Sequence, residues 1–241
     1  MSEVVTTGPA RGGSPRSMAR TLGVFILLTV LTGVFAGGYV SERLIVWSDP
    51  AATAANIIAH RGLFMSALTV YLIEMTCNVV STALFYLLLK PAGPSVSLVA
   101  ACLGLVACTI KTVARVFFAA PLFLLGGGHN FHALTPDALN ELALVLLNVN
   151  NRAAGIAMPF FGFYALLTGY LILRSTFLPR VLGLLSIVGG LGWLMYLWPP
   201  TGARLFPYIV GFALLGCAVQ IFWLVVFGVN EQRWHEQAGS N

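Results

Sequence analysis

The sequence predicts an all-α fold, a polytopic membrane protein with six transmembrane helices and a partly inserted or interfacial helix before the fourth span. Hydrophobic residues make up 58% of the chain and charged residues only 9%, whereas a soluble domain carries about 25% charged residues. The apolar residues form runs of about 20, the length that crosses a bilayer core of about 30 Å. We therefore expect one transmembrane domain over residues 19–230.

Polar tails flank this predicted domain. Residues 1–18 are rich in Gly, Pro, Ser and Arg and predict a disordered tail, and residues 231–241 form a second polar tail. Segment one, residues 21–40, is longer than the core of a signal peptide and lacks a small-x-small cleavage site, so we expect a retained span. Its Gly33 and Gly37 have a spacing that permits another helix to approach closely, although simple tolerance of glycine explains them equally well.

Segments two and three predict a helical hairpin over residues 63–89 and 95–125. The polar connection before it has a short helix of its own, because Asp49 followed by Pro50 is typical of an N-cap and a first-turn proline. The turn at residues 90–94 is too short for anything but an antiparallel pair of helices. The hairpin is therefore expected to bring two adjacent spans into contact.

The stretch between segments three and four predicts an interrupted helix. Three glycines at residues 126–128 end segment three, and Thr135 and Pro136 predict the start of a new helix. The apolar run over residues 138–149 is too short to span, so it is expected to be partly inserted or interfacial. This helix is expected to end, before segment four begins, at a polar knot formed by Asn148, Asn150, Asn151 and Arg152.

Segments four, five and six cover residues 153–173, 181–198 and 205–229. Six spans place both termini on one side of the membrane. Basic residues are more frequent on that side, seven against four, and the positive-inside rule then predicts that both termini are cytoplasmic. The inner residues are Arg11, Arg16, Arg20, Lys90, Arg174, Arg180 and Arg233, and the outer ones are Arg43, Arg61, Arg152 and Arg204.

Several function classes find no support in the sequence. The basic residues form no single face or tract, so nucleic-acid binding is not expected. The four cysteines lie inside predicted spans without a paired spacing, which indicates packing residues rather than disulfides or a metal site. There is no glycine-rich phosphate loop, nucleophile elbow or dinucleotide fingerprint, and no cofactor is predicted.

The predicted hairpin contains charged residues inside its spans. Glu74 and Asn78 lie one turn apart in segment two, and Lys111 and Arg115 lie one turn apart in segment three. A charge at bilayer depth costs about 3 kcal/mol even on lenient scales, so such residues usually face a partner or a wet cavity. Counted at about 1.5 Å per residue, Glu74 lies near mid-membrane and Lys111 in the outer half, so the lysine can reach Glu74.

Two interpretations of these charges remain open. In the first, they line a polar pocket open to the extracytoplasmic side, where Glu74 accepts a proton or a cation and Lys111 and Arg115 attract an anion. In the second, Glu74 and Lys111 form a structural ion pair, while Arg115 extends to the lipid headgroups. Asn151 and Arg152 could also line a ligand site, but satisfying free backbone groups at a helix boundary is the favoured interpretation.

Histidines in the outer connections suggest an alternative. His129 and His132, with His60, Asp137 and Glu141 on the same predicted side, could supply zinc ligands. A zinc-bound water there would make a membrane hydrolase conceivable. The spacing matches no standard metal signature, so we expect solvated loop histidines and no bound metal.

Three short runs are characteristic in their order and spacing. They are DPAATAANI at residues 49–57, YLLLKP at 86–91, and GYL at 169–171 continued by FLPR at 177–180 and LG at 182–183. In these runs the chain resembles a bacterial family of multi-pass membrane proteins known as domain of unknown function 4386, over roughly residues 19–229. The resemblance implies a six-helix bacterial membrane protein without an assigned activity, so no catalytic or binding residue comes with it.

These features together predict a non-enzymatic integral protein of the bacterial cytoplasmic membrane. We expect it to bind or transport a small amphiphilic or anionic ligand through the polar pocket, with the lipid bilayer and that ligand as its partners. The first alternative is a metal-dependent membrane hydrolase that uses the histidines. The second is a non-catalytic interaction subunit that forms oligomers through glycine-rich helix faces.

Overall fold

The structure is a computed structural model that describes residues 14–126 and 134–239. Within these residues it is all-helical, and six helices are long and apolar enough to cross a membrane. The predicted fold class is therefore confirmed. The helices, in chain order, are α1, Pro15–Gly33; α2, Pro50–Ala59; α3, Arg61–Leu89; α4, Pro94–Leu124; α5, Pro136–Arg174; α6, Arg180–Leu194; α7, Pro199–Val226; and α8, Glu231–Gly239.

Two helices begin at the side-chain caps that the sequence indicates. Asp49 Oδ1 accepts a hydrogen bond from Ala52 N at 2.9 Å and starts α2. Thr135 Oγ1 accepts one from Ala138 N at 3.2 Å and starts α5. Each cap satisfies a backbone donor that has no partner within the first turn of its helix. Both predicted helix starts are confirmed.

Helices extend into both predicted tails. The hydroxyl of Ser14 caps α1, which therefore begins at Pro15, inside the stretch 1–18 that the sequence predicts to be disordered. At the other end of the chain, α8 forms from the second polar tail. The indole nitrogen of Trp234 in α8 donates to the carbonyl oxygen of Leu88 at 2.9 Å. The C-terminal helix is thus attached to the end of α3.

The fourth span differs from its prediction. The structure has one continuous helix, α5, of 39 residues where the sequence suggested a short helix, a break and then segment four. No break occurs at the polar knot, because Asn148 donates to the carbonyl oxygen of Leu144 within the helix at 3.1 Å and Asn150 bonds to a neighbouring helix. At about 1.5 Å per residue α5 is about 58 Å long, so it extends well beyond a hydrocarbon core of about 30 Å.

Both ends of the described chain meet at one end of the bundle, which we call the termini end. It comprises residues 14–20, 88–94, 174–180 and 226–239. Here the backbone N–H of Arg16 donates to Glu231 Oε1 at 3.2 Å, and that of Asn230 donates to the carbonyl oxygen of Phe177 at 3.3 Å. The opposite end consists of α2 and its flanking residues, the C-terminus of α4, the N-terminal half of α5 and the α6–α7 connection.

Glycines bring α5 and α6 into backbone contact. A Cβ at Gly162 would lie 2.9 Å from the carbonyl oxygen of Gly190, and one at Gly169 would lie 2.8 Å from that of Gly183. The two pairs are seven residues apart on each helix, so they face each other across two turns of an antiparallel crossing. Only glycine permits an approach this close.

Candidate functional site

The hairpin of α3 and α4 contains a buried ion pair. Lys111 Nζ donates a hydrogen bond to Glu74 Oε1 over 2.8 Å. The two side chains are 13% and 7% exposed, respectively. Counted at about 1.5 Å per residue, both lie about 24 Å along their helices from the termini end, so they occupy one level of the membrane. The contact that the sequence allowed between these residues is present.

Arg115 lies one turn beyond Lys111 on α4 and is held by uncharged groups. Its Nη1 donates to Asn150 Oδ1 at 3.0 Å. Its guanidinium carbon lies 3.6 Å from the centre of the Tyr71 ring, a cation–π contact. The residue is only 6% exposed. The second interpretation is therefore wrong in placing Arg115 at the lipid headgroups, because an amide and an aromatic ring hold it inside the bundle.

Two of the glycines of segment one, Gly33 and Gly37, face this region. A Cβ at Gly33 would lie 3.6 Å from Glu74 Oε1, and a Cβ at Gly37 would lie 3.4 Å from Tyr71 Oη. Side chains larger than a methyl group would therefore collide with Glu74 or Tyr71. The close approach that this spacing permits is used inside the chain, between the first span and α3.

The first span changes its winding beside Tyr71. After α1, residues Val34–Ser41 form a π-helix, and the span then ends with a short α-helical turn, Glu42–Leu44. The Ser41 hydroxyl donates to the carbonyl oxygen of Ala36 at 2.8 Å and lies 3.2 Å from Tyr71 Oη. Such windings are rare and frequently accompany functional sites. This one fixes the hydroxyl that orients the ring over which Arg115 lies.

Glu74, Lys111 and Arg115 together form what we call the charged cluster. It contains one carboxylate and two cations, a net charge of +1. Two of its buried atoms, Glu74 Oε2 and Arg115 Nε, have no hydrogen-bond partner among the described residues. A buried polar atom without a partner is costly, and a buried cation without a counter-charge more so. The cluster is therefore electrostatically incomplete.

The remaining predicted candidates lie elsewhere. Asn78 donates to the carbonyl oxygen of Glu74 at 3.1 Å, within its own helix. Asn151 and Arg152 are exposed and do not contact the cluster, whereas their buried neighbour Asn150 does. The asparagines of the polar knot indicated a polar contact in this region. Which asparagine makes the contact depends on the continuous helix, since each residue along a helix turns the side-chain direction by about 100°.

The histidine alternative gains no support from the described residues. His129 and His132 lie outside them. His60 Nδ1 lies 3.2 Å from the carbonyl oxygen of Asn56 in the preceding turn. Across residues 14–126 and 134–239, no group of three or more His, Cys, Asp or Glu side chains is arranged to hold a metal ion. Of the four cysteines predicted to be packing residues, Cys77 and Cys108 are buried, whereas Cys102 is exposed.

The charged cluster is closed, and two cavities lie at the termini end instead. Glu74 is 5% exposed and packs against its partners rather than lining an open pocket. One cavity, of about 530 Å³, is lined by residues that include Arg16 and Arg233. The other, of about 490 Å³, lies between Lys90 and Trp234. The polar pocket expected at the cluster is therefore not open in this conformation.

Comparison with known proteins gives a family match. A family model described as Domain of unknown function (DUF4386) matches residues 21–228, from the second turn of α1 to just beyond the end of α7. No protein with a curated description and no solved structure matches the chain. The match agrees with the resemblance seen in the sequence and spans the whole set of membrane-crossing helices.

Proposed function

The chain belongs to the DUF4386 family, and we propose that it binds a small anionic amphiphile at the charged cluster. The protein is built from six apolar helices long enough to cross a membrane. Family membership brings no assigned activity with it, so the proposal rests on the chemistry of the cluster. It concerns binding without catalysis, because the cluster has no nucleophile paired with a base.

The observation that supports the proposal is the excess of buried cations over buried carboxylates. Lys111 has Glu74 as its counter-charge, whereas Arg115 has only the neutral amide of Asn150 and the face of Tyr71. An uncompensated charge at membrane depth costs about 3 kcal/mol or more, and residues of this kind usually mark ligand or ion pathways. A bound anion would supply the missing negative charge.

The position of the cluster favours an amphiphile over a simple inorganic anion. The cluster lies inside two membrane-spanning helices, and the neighbouring residues Leu72, Ile73, Val113 and Val116 are exposed apolar side chains that face lipid. A ligand that enters between the helices from the bilayer would keep its apolar tail in lipid and bring only its anionic head to the cations. Lys111, with its side chain 13% exposed, is the most accessible member.

Glu74 acts in this proposal as an internal anion. Its Oε1 accepts one hydrogen bond from Lys111, and its Oε2 has no partner among the described residues. An incoming carboxylate or phosphate has to displace Glu74 or share Lys111 with it. Replacing Glu74 by glutamine removes the competing charge, so Glu74→Gln is expected to tighten anion binding.

Oleate binding to the full-length protein in dodecyl maltoside micelles tests the proposal. We expect oleate to stabilise the wild-type protein against heat, because a ligand that binds only the folded state raises its stability. Arg115→Gln should weaken oleate binding by at least about tenfold, since truncating one buried charged partner costs 2–5 kcal/mol. Native mass spectrometry of the same samples counts the bound oleate.

A matched control removes the same charge from an exposed position. Arg152→Gln lies two residues beyond Asn150 on α5 and should bind oleate as the wild type does. Dodecyltrimethylammonium, a cationic amphiphile, should not stabilise the protein. Unchanged oleate binding in a normally folded Arg115→Gln variant, or equal stabilisation by the cationic amphiphile, would disprove an anion site at the cluster.

A further inference from the structure

Charge is distributed very unevenly between the two ends of the bundle. The termini end contains six basic side chains and two acidic ones, Glu231 and Glu236, which gives it a net charge of +4. At the opposite end, four basic and four acidic side chains cancel. The six basic residues are Arg16, Arg20, Lys90, Arg174, Arg180 and Arg233. The excess charge lies at the end that also contains the two cavities.

The larger cavity, of about 530 Å³, combines cationic and apolar walls. Its lining includes the cationic Arg16 and Arg233 and the aromatic Phe177, Trp223 and Phe227. Tryptophan at the end of a membrane span is typical of the headgroup level of the bilayer. Charged and aromatic walls at this level match the phosphate and the upper acyl chains of a phospholipid.

Arg16 is available to bind an anion. Its guanidinium makes no hydrogen bond or ion pair with any other residue that the structure describes. Its position depends on Gly228, whose φ of +70° is the left-handed conformation that favours glycine. A Cβ at Gly228 would lie only 2.9 Å from Arg16 Cγ, so glycine also permits the arginine to lie against this turn.

Two further side chains of this wall oppose each other in charge. Arg233 donates one hydrogen bond, from Nη1 to the carbonyl oxygen of Thr176 at 3.3 Å, and keeps its other donors. Glu231 Oε1 accepts the backbone N–H of Arg16 at 3.2 Å, within the first turn of α1. A carboxylate thus occupies a position where the donors of a helix N-terminus would otherwise meet an external anion.

We propose that this cavity binds the phosphate group of an anionic phospholipid, with Arg16 and Arg233 as its ligands and Trp223 beneath the glycerol region. Glu231 in the cavity wall repels the phosphate and competes for the first turn of α1. The site is separate from the charged cluster, which lies about 24 Å away along the helices by count at 1.5 Å per residue. This lipid site can therefore be tested independently of the proposed function of the charged cluster.

Lipid retention by the full-length protein tests this site. The protein is placed in bilayer nanodiscs of phosphatidylcholine with increasing phosphatidylglycerol, then released and examined by native mass spectrometry. We expect one phosphatidylglycerol to be retained in preference to phosphatidylcholine. In the double variant Arg16→Gln/Arg233→Gln, retention should fall by about fivefold for each arginine, which corresponds to about 1 kcal/mol per basic residue near an anionic surface.

Two further variants make the result specific. Arg43→Gln/Arg204→Gln removes two arginines from the opposite end and should leave retention unchanged. Glu231→Gln should raise retention, because the amide keeps a hydrogen-bond acceptor but no longer repels phosphate. Equal retention in the wild type and in all three variants would overturn the proposal. Loss of retention in both double variants alike would overturn it too, since it would show a response to total charge alone.

Inorganic phosphate distinguishes the two possible sources of the phosphate group. At millimolar concentration it should leave phosphatidylglycerol retention unaffected, because a free ion lacks the acyl chains that contact the apolar wall. If inorganic phosphate displaces the lipid, or binds while phosphatidylglycerol is not retained, the cavity is a site for soluble phosphate and the lipid proposal is wrong. Circular dichroism of each variant checks that the helices are retained.

Discussion

Two pairs of neighbouring antiparallel helices in this protein differ in whether charge takes part in their contact. The pair α5–α6 meets through four glycines, with backbone against backbone at residues 162, 169, 183 and 190. The pair α3–α4 contains the buried Glu74–Lys111 ion pair beside apolar contacts such as the Phe64–Phe118 ring stack. In lipid, close packing of small residues is enough to hold helices together. The glycine pair shows that this chain can join two spans without any charge, so scaffolding alone does not account for the charged pair.

The energetics strengthen this contrast. A buried ion pair must recover the cost of removing two charges from water, and well-packed apolar residues in its place are often neutral or stabilising by about 1–4 kcal/mol. Arg115 extends the same polar region without a carboxylate partner of its own. A region kept polar against its own stability is the kind of region where function is found.

The largest effect is expected from breaking the charged pair on one side. Lys111→Met leaves Glu74 buried without its counter-charge, and losing one member of a buried pair costs about 3–5 kcal/mol. The free energy of unfolding, measured by denaturant titration in mild detergent, should fall by this amount. Thr109→Val, an exposed position on the same helix, is the control and should change little.

The next effect in size is expected at the glycine crossing. Gly169→Ala would place a methyl group 2.7 Å from Ile187 Cγ1 and 2.8 Å from the carbonyl oxygen of Gly183, so α5 and α6 must separate. Overpacking of this kind costs about 1–3 kcal/mol. Gly189→Ala is the matched control, since a Cβ there meets nothing within 4 Å.

These two alanine variants should differ in sign. Alanine is favoured over glycine in a helix by about 1 kcal/mol, so Gly189→Ala should leave the thermal midpoint unchanged or raise it, while Gly169→Ala lowers it. Equal destabilisation by both would mean that helix flexibility, and not close approach, is what these glycines provide. Close backbone packing would then no longer distinguish the α5–α6 interface from the α3–α4 interface.

A smaller effect is expected when both charges are removed together. Glu74→Gln/Lys111→Met replaces the ion pair by groups of similar size without leaving an unpaired charge, so stability should stay within about 1 kcal/mol of the wild type. Anion binding should nevertheless weaken, because Lys111 no longer contributes to it, while Arg115 is retained. If the double variant is as unstable as Lys111→Met, the ion pair is a structural lock and the contrast with the glycine pair fails.

The sequence predicts the α3–α4 interface far better than the α5–α6 interface. The spans, the cap of α2 and the reach of Lys111 to Glu74 follow from hydropathy, turn chemistry and helical rise alone. Charged residues inside apolar runs are rare, so a buried charge has few residues of opposite charge with which it can pair. Glycines are common in membrane helices, and nothing in their spacing states which other helix they meet.

The polar contacts of Arg115 show a second reason for the difference. Its partners Asn150 and Tyr71 lie on two other helices, and their selection depends on how each helix is rotated about its axis. Membrane helices that are apolar on every side give little indication of that rotation. The prediction of a break at residues 148–152 also prevented Asn150 from being identified as a partner of Arg115. An asparagine inside a continuous helix points in a defined direction, whereas one in a loop does not.

The smallest effect is expected from acid, at a contact that belongs to neither interface. The hydroxyl of Ser14 and the backbone N–H of Arg16 donate hydrogen bonds that hold the pKa of Glu231 below its ordinary value. A carboxyl group whose pKa is lowered by folding stabilises the folded state at pH values above its ordinary pKa of about 4.3, and loses this contribution as the pH falls through the lowered pKa. Acidification should therefore loosen α8 from α1.

Hydrogen exchange of the α8 backbone amides at pH 6 and pH 3, corrected for intrinsic rates, measures this release. In the wild type, protection should fall at the lower pH, whereas in Glu231→Gln it should be the same at both pH values because no carboxylate is present to be protonated. The glycine crossing of α5 and α6, over residues 162–169 and 183–190, contains no Asp, Glu or His side chain and should keep its protection throughout. Loss of protection there over the same interval would show that the termini end and the glycine interface unfold as one unit, and that the helix pairs are less independent than their different chemistry indicates.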